Sequence, residues 1–270
     1  MGKFFSLFFL GLHKDLLNAM SYKIQFFGSF LIIFFNLIIY YYFLEFIGAS
    51  RLEAVQLDYF KYIFVGLLMT DFSVLVVRSL SGPITTYKNQ GIFEELMSLP
   101  VSEIQIIFNS LPYALFNGFV RMICFLFFYV ALYGFPLIDI GSLTILLFSL
   151  LLFILCSCGI SLIFTGITLI FHRGEGLPFI YSAVSTLFGG VFYPVTIISE
   201  KLNLFANLLP IKHMIELIRG LSGITNYSES DLYFNIIFLT VLSIFFLIIG
   251  YLVWKKSLEV AKKQASLYLY

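Results

Sequence analysis

Charged residues are scarce in this 270-residue chain, which has 16 Lys and Arg, 15 Asp and Glu, and a formal net charge of +1. They make up 11% of the residues, against 60% that are hydrophobic, and the mean hydropathy is +1.00. A water-soluble domain of this length needs far more charge on its surface, so the composition predicts an integral membrane protein. The near-zero net charge gives no basis for nucleic-acid binding, and no such partner is predicted.

Cysteine and histidine are equally rare. Cys124, Cys156 and Cys158 all lie inside apolar runs, where a thiol behaves as a small hydrophobic side chain. The Cys156-x-Cys158 pair has no second pair and no nearby histidine, so neither a disulfide nor a metal site is predicted. The histidines are scattered over three segments, at His13, His172 and His213. No catalytic residue and no cofactor is predicted for this chain.

Long apolar runs dominate what the sequence does contain. A helix needs about 20 apolar residues to cross the hydrocarbon core, and helices are the spanning element expected here, because backbone polar groups cannot stay unpaired in lipid. The fifth run is marginal in length. The predicted fold is an all-α integral membrane protein with six transmembrane helices in one domain, residues 1–270. The spans are predicted at about 24–47, 59–80, 103–133, 142–171, 177–192 and 232–254.

The two ends of the chain and the basic residues predict the topology. Residues 1–22 have apolar side chains around His13-Lys14-Asp15 and no small-residue cleavage site, which favours an amphipathic helix along the membrane surface over a signal peptide. With both termini inside, ten Lys and Arg lie in cytoplasmic segments and five in outer ones. This excess predicts an N-in, C-in protein with a cytoplasmic tail at 255–270.

The stretch GIFEELMSLPVS (91–102) is a polar island between two apolar runs, and a short amphipathic helix is predicted at about 89–99. Gly91 precedes it, Glu94 and Glu95 favour its positive N-terminal end, and Pro100 ends it. Its apolar face is formed by Ile92, Phe93, Leu96 and Met97. Such a helix either presents a cytoplasmic surface to a partner or rests on lipid headgroups, and the sequence leaves both open.

Two ionisable residues are predicted deep in the membrane. Asp71 and Arg121 each lie twelve residues from the outer end of their span, at a depth of ~18 Å. A lone charge there is costly, so matched depth on antiparallel helices predicts an intramembrane ion pair. The pair would serve either as a fixed clamp between helices or as a site for a coupled ion or a proton relay.

Helix-breaking residues follow the fifth span. Gly189-Gly190 and Tyr193-Pro194 interrupt the apolar run, and Pro210 separates two apolar stretches that are too short to cross. They predict a re-entrant helical hairpin at about 194–221 that dips into the outer leaflet, the alternative being an ordinary outer loop with amphipathic helices. Hinge points at both ends predict an exit gate, formed by Gly189, Gly190, Val191, Tyr193, Pro194 and Pro210.

Aromatic residues crowd the first predicted span. Among them Phe30, Phe34 and Tyr41 are candidates for lining a substrate path. The alternative is that these rings face lipid, with an interfacial tyrosine cluster at the outer end.

The order of these elements resembles the membrane subunit of ATP-binding-cassette exporters of type 2. Three stretches are similar to patterns of that family: residues 87–102 (YKNQGIFEELMSLPVS), 190–194 (GVFYP), and 209–220, which contains LP and ELIRG. Each pattern is degenerate, and their order is more specific than any one of them. The resemblance covers nearly the whole chain.

The resemblance implies a half-transporter in a prokaryotic cytoplasmic membrane that dimerises, as a homo- or heterodimer, and works with two copies of a separate ATPase subunit. ATP and Mg would be bound by that partner, since the chain has no G-x-x-x-x-G-K-[ST] loop. The helix at about 89–99 would be its coupling helix, with Glu94 and Glu95 meeting polar or basic groups of the ATPase and Phe93 and Met97 filling its cleft. The full coupling interface would comprise Gly91, Ile92, Phe93, Glu94, Glu95 and Met97.

The exported substrate would be a lipid-linked glycan or a hydrophobic drug or natural product. Two alternatives come from other classes. One is an ion- or proton-coupled carrier or channel that uses Asp71 and Arg121. The other is a membrane-embedded lipid-modifying enzyme, for which the scattered histidines offer little support.

Overall fold

The computed structural model describes residues 2–22, 53–98, 102–133, 140–171, 176–194, 200–225 and 227–267, together with isolated positions between 24 and 42. This part of the chain is helical and has no strand. Its helices are α1 (Gly2–Ser21), α2 (Glu53–Asn89), α3 (Phe93–Met97), α4 (Glu103–Phe108), α5 (Leu111–Tyr133), α6 (Leu143–Phe171), α7 (Leu177–Phe188), α8 (Glu200–Ala206), α9 (Pro210–Leu221) and α10 (Glu229–Leu267), with a 3-10 turn at Ile140–Ser142.

Four stretches in the described part are long and apolar enough to cross a membrane: Tyr59–Asn89, Glu103–Ala131, Leu143–Phe171 and Glu229–Lys263. A fifth apolar helix, α7, has only 12 residues and cannot cross alone. Most of the first predicted span, 24–47, lies outside the described residues. The chain is therefore an all-α, multi-pass membrane protein, and the number six remains a prediction.

Several helices differ in extent from the sequence-based boundaries. The helix predicted at 59–80 continues to Asn89, and the last helix begins at Glu229 and continues through the predicted tail to Leu267. The third predicted span is divided by a turn at Asn109-Ser110 into α4 and α5. The two longer helices share a cause: helix hydrogen bonding does not stop at the membrane boundary, whereas hydropathy does.

Helix α2 lies at the centre of the protein, and 72% of its most apolar 18-residue stretch is buried. Large side chains such as Phe64, Met69 and Phe72 are almost completely enclosed. Most of its small polar side chains donate to carbonyls of the same helix, as Thr70 Oγ1 does to Gly66 at 2.8 Å, whereas Ser73 pairs with the hydroxyl of Tyr181 on α7 at 2.7 Å. Because α2 reaches from α9 at one end of the bundle to the polar turn after Asn89 at the other, it connects the two ends that carry the candidate sites.

Helices α6 and α10 pack closely against each other, and glycines make the contact possible. A Cβ atom on Gly159 would lie 2.6 Å from the carbonyl oxygen of Phe246, and one on Gly250 would overlap the carbonyl of Gly159. Backbone atoms cannot move aside as a flexible side chain can. Small residues at helix crossings serve the same purpose in membranes generally, since lipid supplies no hydrophobic drive for association.

We expect Gly159→Ala and Gly250→Ala each to destabilise the protein, although alanine is the better helix former by ~1 kcal/mol. The clash with backbone should cost more, leaving a net loss of roughly 1–2 kcal/mol, seen as a lower thermal midpoint in detergent. Gly141→Ala is the matched control, because a Cβ there meets no atom within 4 Å. Midpoints at or above wild type for both helix variants would contradict the close packing.

Candidate functional sites

The chain leaves α2 through a tight turn that needs glycine. Gly91 has φ of 73°, in the left-handed region that favours glycine, and it is exposed. The turn is closed by the Gly91 N–H, which donates to the Lys88 carbonyl, and by the Ile92 N–H, which donates to the Tyr87 carbonyl, both at 3.1 Å. The 91–98 turn, as we name this segment, therefore has a defined direction relative to α2.

Within the 91–98 turn, α3 packs its apolar face against the protein itself. Phe93 and Met97 are half-buried against a cluster at this end of the bundle, whose members include Ile84, Ile107 and Trp254. Glu95 is exposed and Ile92 is half-buried, while the side chain of Glu94 lies outside the described residues. Phe93 and Met97 thus anchor α3 on the chain's own core while part of each side chain stays exposed. Their contact with an ATPase stays a prediction. The helix is also shorter than the predicted 89–99, since Asn89 belongs to α2.

Polar contacts join this end of the bundle to other helices. Lys88 Nζ donates to the carbonyl of Leu169, at 2.7 Å, at the C-terminal end of α6, where a cation is favoured. Lys262 of α10 forms an ion pair with Glu103 at the start of α4. These contacts join α2 to α6, and α10 to α4, beside the 91–98 turn.

Asp71 and Arg121 face each other midway along the bundle. Arg121 Nη1 donates to both carboxylate oxygens of Asp71, at 2.8 Å to Oδ1 and 3.1 Å to Oδ2, and so joins α2 to α5. The arginine side chain is 11% exposed and the carboxylate side chain 27%. Among the described residues, no group of three His, Cys, Asp or Glu could hold a metal ion. The geometry is that of a clamp between two helices.

At the opposite end of the bundle, α7 stops at Phe188 and the chain folds back through Gly189 and Gly190. Gly190 has φ of 76°, and both glycines are buried. Val191 is also fully buried and approaches α2 so closely that a Cβ on Gly66 would lie 2.8 Å from the Val191 Cα. Tyr193 is half-buried and Pro194 is exposed. Of the predicted gate residues in this segment, only these last two reach the surface.

Arg219 of α9 holds this segment in place. The guanidinium is 2% exposed; Nη1 donates to the Gly190 carbonyl at 2.7 Å, and Nη2 donates to those of Val191 at 3.0 Å and Tyr62 at 2.6 Å. It also lies 3.2 Å from the centroid of the Tyr62 ring. Burial lowers the pKa of Arg219 to about 10, which leaves it charged at neutral pH. One side chain thus ties α9, α2 and the 190–191 segment together.

In the sequence, Arg219 is part of the ELIRG pattern within 209–220, and nothing in that pattern predicts its buried position. A signal was present: Ile211, Ile215 and Arg219 follow one stripe at spacing four, whose first two members are apolar. A cation that continues an apolar stripe points inward and needs buried acceptors.

The predicted hairpin contains two short helices, α8 and α9, and neither could span a membrane. Pro210 is the first residue of α9, where its missing N–H costs nothing. The buried His213 faces Asn235 Oδ1 at 2.7 Å through Nδ1 and the Asn207 carbonyl at 2.9 Å through Nε2. These contacts attach the hairpin to α10.

Of the candidate path-lining aromatics, Phe34 is described and Phe30 and Tyr41 are not. Phe34 is 44% exposed and its ring meets Phe128 of α5 edge-on, with 5.7 Å between centroids. Its position beside α5 is compatible with a path and with lipid contact alike.

Several long apolar helices around a buried ion pair, with a polar turn at one end and short helices at the other, define a multi-pass helical membrane protein. The family model described as ABC-2 type transporter matches residues 6–222. The chain belongs to the ABC-2 type transporter family, which confirms the resemblance of its motifs, and it is a transmembrane transport component that is not itself catalytic. The comparison with curated proteins gives no significant match.

Proposed function

We propose that this chain is half of an exporter that dimerises and works with two separate ABC ATPase subunits, which bind ATP and Mg. The observation that carries the proposal is the 91–98 turn in a chain of this family. Its apolar residues Phe93 and Met97 are anchored on the chain's own core, and Glu95 is exposed. The apolar face of this small helix is packed on the chain's own core, and its exposed face is acidic. A helix so placed can transmit movement from a soluble partner to the membrane helices.

The partner would meet Gly91, Glu94 and Glu95, while Phe93 and Met97 would transmit its movement inward. Through Ile84 and Trp254, which belong to the same cluster, that movement would reach α2 and α10. ATP would act by favouring one of two arrangements of the membrane helices through differential contacts with the ATPase.

We further propose that both termini and the 91–98 turn lie on the cytoplasmic side of a prokaryotic membrane. This proposal is supported by Lys14 of α1, whose Nζ donates to the Tyr87 hydroxyl at 3.3 Å, and by the Lys262–Glu103 pair near the C-terminus. Both contacts lie at the end of the bundle that carries the 91–98 turn. The 189–194 segment and the hairpin would then form the outer mouth of the export path, with Tyr193 and Pro194 nearest a second copy of the chain.

The cargo would be amphipathic and would move outward, either a lipid-linked glycan or a hydrophobic drug or natural product. The Asp71–Arg121 pair fits better as a clamp than as the centre of a carrier, because Arg121 Nη1 already donates to both carboxylate oxygens of Asp71.

The decisive experiment is purification of the tagged chain from its native cells, followed by an ATPase assay. We expect vanadate-sensitive ATP hydrolysis to co-purify with the wild-type chain. Glu95→Lys combined with Glu94→Lys should reduce it more than tenfold while the chain stays folded, since reversed charge opposes a basic partner surface.

Glu259→Lys is the matched control, because Glu259 is exposed near the same end on α10 but lies outside the 91–98 turn. Hydrolysis at wild-type yield with the double variant would refute the proposed coupling surface. Transport without any co-purifying ATPase would instead favour the carrier alternative.

A further inference from the structure

A cavity of about 450 Å³ lies between α1, α2 and α5 on the side of the 91–98 turn. None of the sites above uses it. Two cations line it, Lys14 and Arg78, against one carboxylate, Asp15. The lining therefore carries a net charge of +1, in a protein that elsewhere exposes mainly apolar side chains to the bilayer.

Arg78 carries the unbalanced charge. It is exposed, and among the described residues it has no hydrogen-bond or ion-pair partner. It lies eleven residues before the end of α2, which places its Cα ~16 Å from that end. The predicted span ends at residue 80, so Arg78 lies two residues inside that end, and its guanidinium needs only a short route to the interface.

The side chain of Arg78 takes that route along its own helix. A Cβ on Gly82 would lie 3.4 Å from Arg78 Cγ and 3.9 Å from Nε, so the guanidinium runs one turn toward the C-terminal end of α2, beside a residue without a side chain. This is the snorkelling geometry of long basic residues. It brings the guanidinium toward the level of Tyr87 and Lys14.

Lys14 defines the surface end of the cavity. Its ammonium lies 3.3 Å from the Tyr87 hydroxyl and 3.5 Å from Asp15 Oδ1, and the side chain remains 55% exposed. One hydrogen bond to a phenol and one loose ion pair leave this ammonium free to donate further. Lys14 lies at the surface end of the cavity and Arg78 lies deeper. Together they can bind an anion at the level of the lipid headgroups.

The remaining lining favours a headgroup with hydroxyls. Asn117 also lines the cavity, and its buried Oδ1 has no hydrogen-bond partner. An unpaired buried acceptor is costly, so a rotation of the amide that turns Oδ1 toward a hydroxyl donor in the cavity would be favourable. A phosphate next to a polyol supplies both the anion for the cations and a donor for the amide.

The surroundings indicate a lipid rather than a soluble anion. Helix α1 exposes the large apolar side chains Phe9, Leu10, Leu17 and Met20. Such a helix lies in the membrane interface, so a cavity between it and two spanning helices opens toward the acyl region as well as toward water. Basic pockets of this kind between membrane helices recognise anionic headgroups.

We propose that this cavity binds the headgroup of an anionic phospholipid, phosphatidylglycerol in chemical class, with its phosphate between Arg78 and Lys14 and its glycerol hydroxyls toward Asn117. The site is separate from the 91–98 turn and from the outer hairpin. It does not depend on the ATPase partner, on the cargo or on which side of the membrane is cytoplasmic.

The test is a lipid titration of the delipidated full chain in detergent, followed by the thermal midpoint. Dioleoyl phosphatidylglycerol should raise the midpoint saturably, since a ligand of the folded state stabilises it, and the phosphatidylcholine of the same chains should not. Arg78→Gln and Lys14→Gln should each weaken the apparent affinity for phosphatidylglycerol about fivefold, and Arg78→Lys should weaken it less.

Lys255→Gln is the matched control, an exposed basic residue of α10 outside the cavity, and it should leave the affinity unchanged. If Arg78→Gln does not fold, Lys14→Gln on the surface helix decides the matter alone. The proposal is overturned if both lipids act equally or if Lys255→Gln weakens binding as much as the cavity variants. Inorganic phosphate giving the full stabilisation by itself would mark a free-anion site and would equally overturn it.

Discussion

Replacing Arg219 with glutamine should destabilise the protein by roughly 3–5 kcal/mol and abolish transport. The arginine is the common hydrogen-bond donor to the carbonyls of Tyr62, Gly190 and Val191, and it is 2% exposed. Each buried acceptor left unpaired costs about 1–3 kcal/mol. Glutamine is shorter and has two donors, so it cannot reach all three carbonyls.

Loss of transport has a separate cause in this prediction. The 190–191 segment is where α7 folds back toward the hairpin, and Arg219 sets its distance from α2. Without that connection the 190–191 segment should lose its position against α2, whether or not the rest of the bundle stays folded. Stability is measured by the thermal midpoint in detergent, and transport in vesicles with the partner ATPase.

Two further variants make the result specific. Arg219→Lys keeps the charge but replaces the planar fork by a single ammonium, so it should recover part of the stability and little of the transport. Glu216 lies on the same helix and is partly exposed, so we expect Glu216→Gln to change the stability by less than about 1 kcal/mol. Near-wild-type stability of Arg219→Gln would mean that the carbonyls find other donors and that Arg219 does not hold the segment.

The second large effect concerns Asp71 and Arg121. Asp71→Asn or Arg121→Gln alone should cost roughly 3 kcal/mol, because each leaves one charge without its partner in a medium of low dielectric. The carboxylate side chain is 27% exposed, which places the expected loss toward the lower end for buried pairs. The double variant should recover much of it, and the double-mutant cycle gives the coupling.

The exposed pair of Glu103 and Lys262 is the internal control. Their side chains are 35% and 56% exposed, so Glu103→Gln and Lys262→Gln should each change stability by less than about 1 kcal/mol. Additive losses at Asp71 and Arg121 would argue that the two side chains do not interact. A stable double variant that still transports would establish the clamp, whereas a stable one that cannot transport would favour a relay.

The amount that could be predicted from sequence differs between these sites. Matched depth in two apolar runs predicts a pair between Asp71 and Arg121, and their side chains lie 2.8 Å apart. That inference needs only helical rise and the cost of a lone charge, both of which are local quantities. The role of the pair in transport stays a prediction.

The 91–98 turn shows where such reasoning stops. The sequence predicts a short amphipathic helix after a glycine, and α3 follows Gly91. It cannot say against what the apolar face packs. Phe93 and Met97 contact the chain's own cluster because α4 and α10 bring Ile107 and Trp254 to the same end, and neither contact is local in sequence.

The sequence by itself determined the class of this protein, its family resemblance and the approximate places where apolar helices begin and break. Those properties depend on composition, run length and helix-breaking residues, which act over a few neighbouring positions. Only the tertiary structure decided that α2 is central, that Arg219 points into the bundle, and that Arg78 and Lys14 line one cavity. In a membrane, a helix that is apolar on all sides can face lipid or protein equally well. Its sequence pattern therefore does not show which face packs against the other helices. Close packing and the pairing of the few polar groups decide which residues lie at the contacts between helices. Both depend on partners far away in the chain.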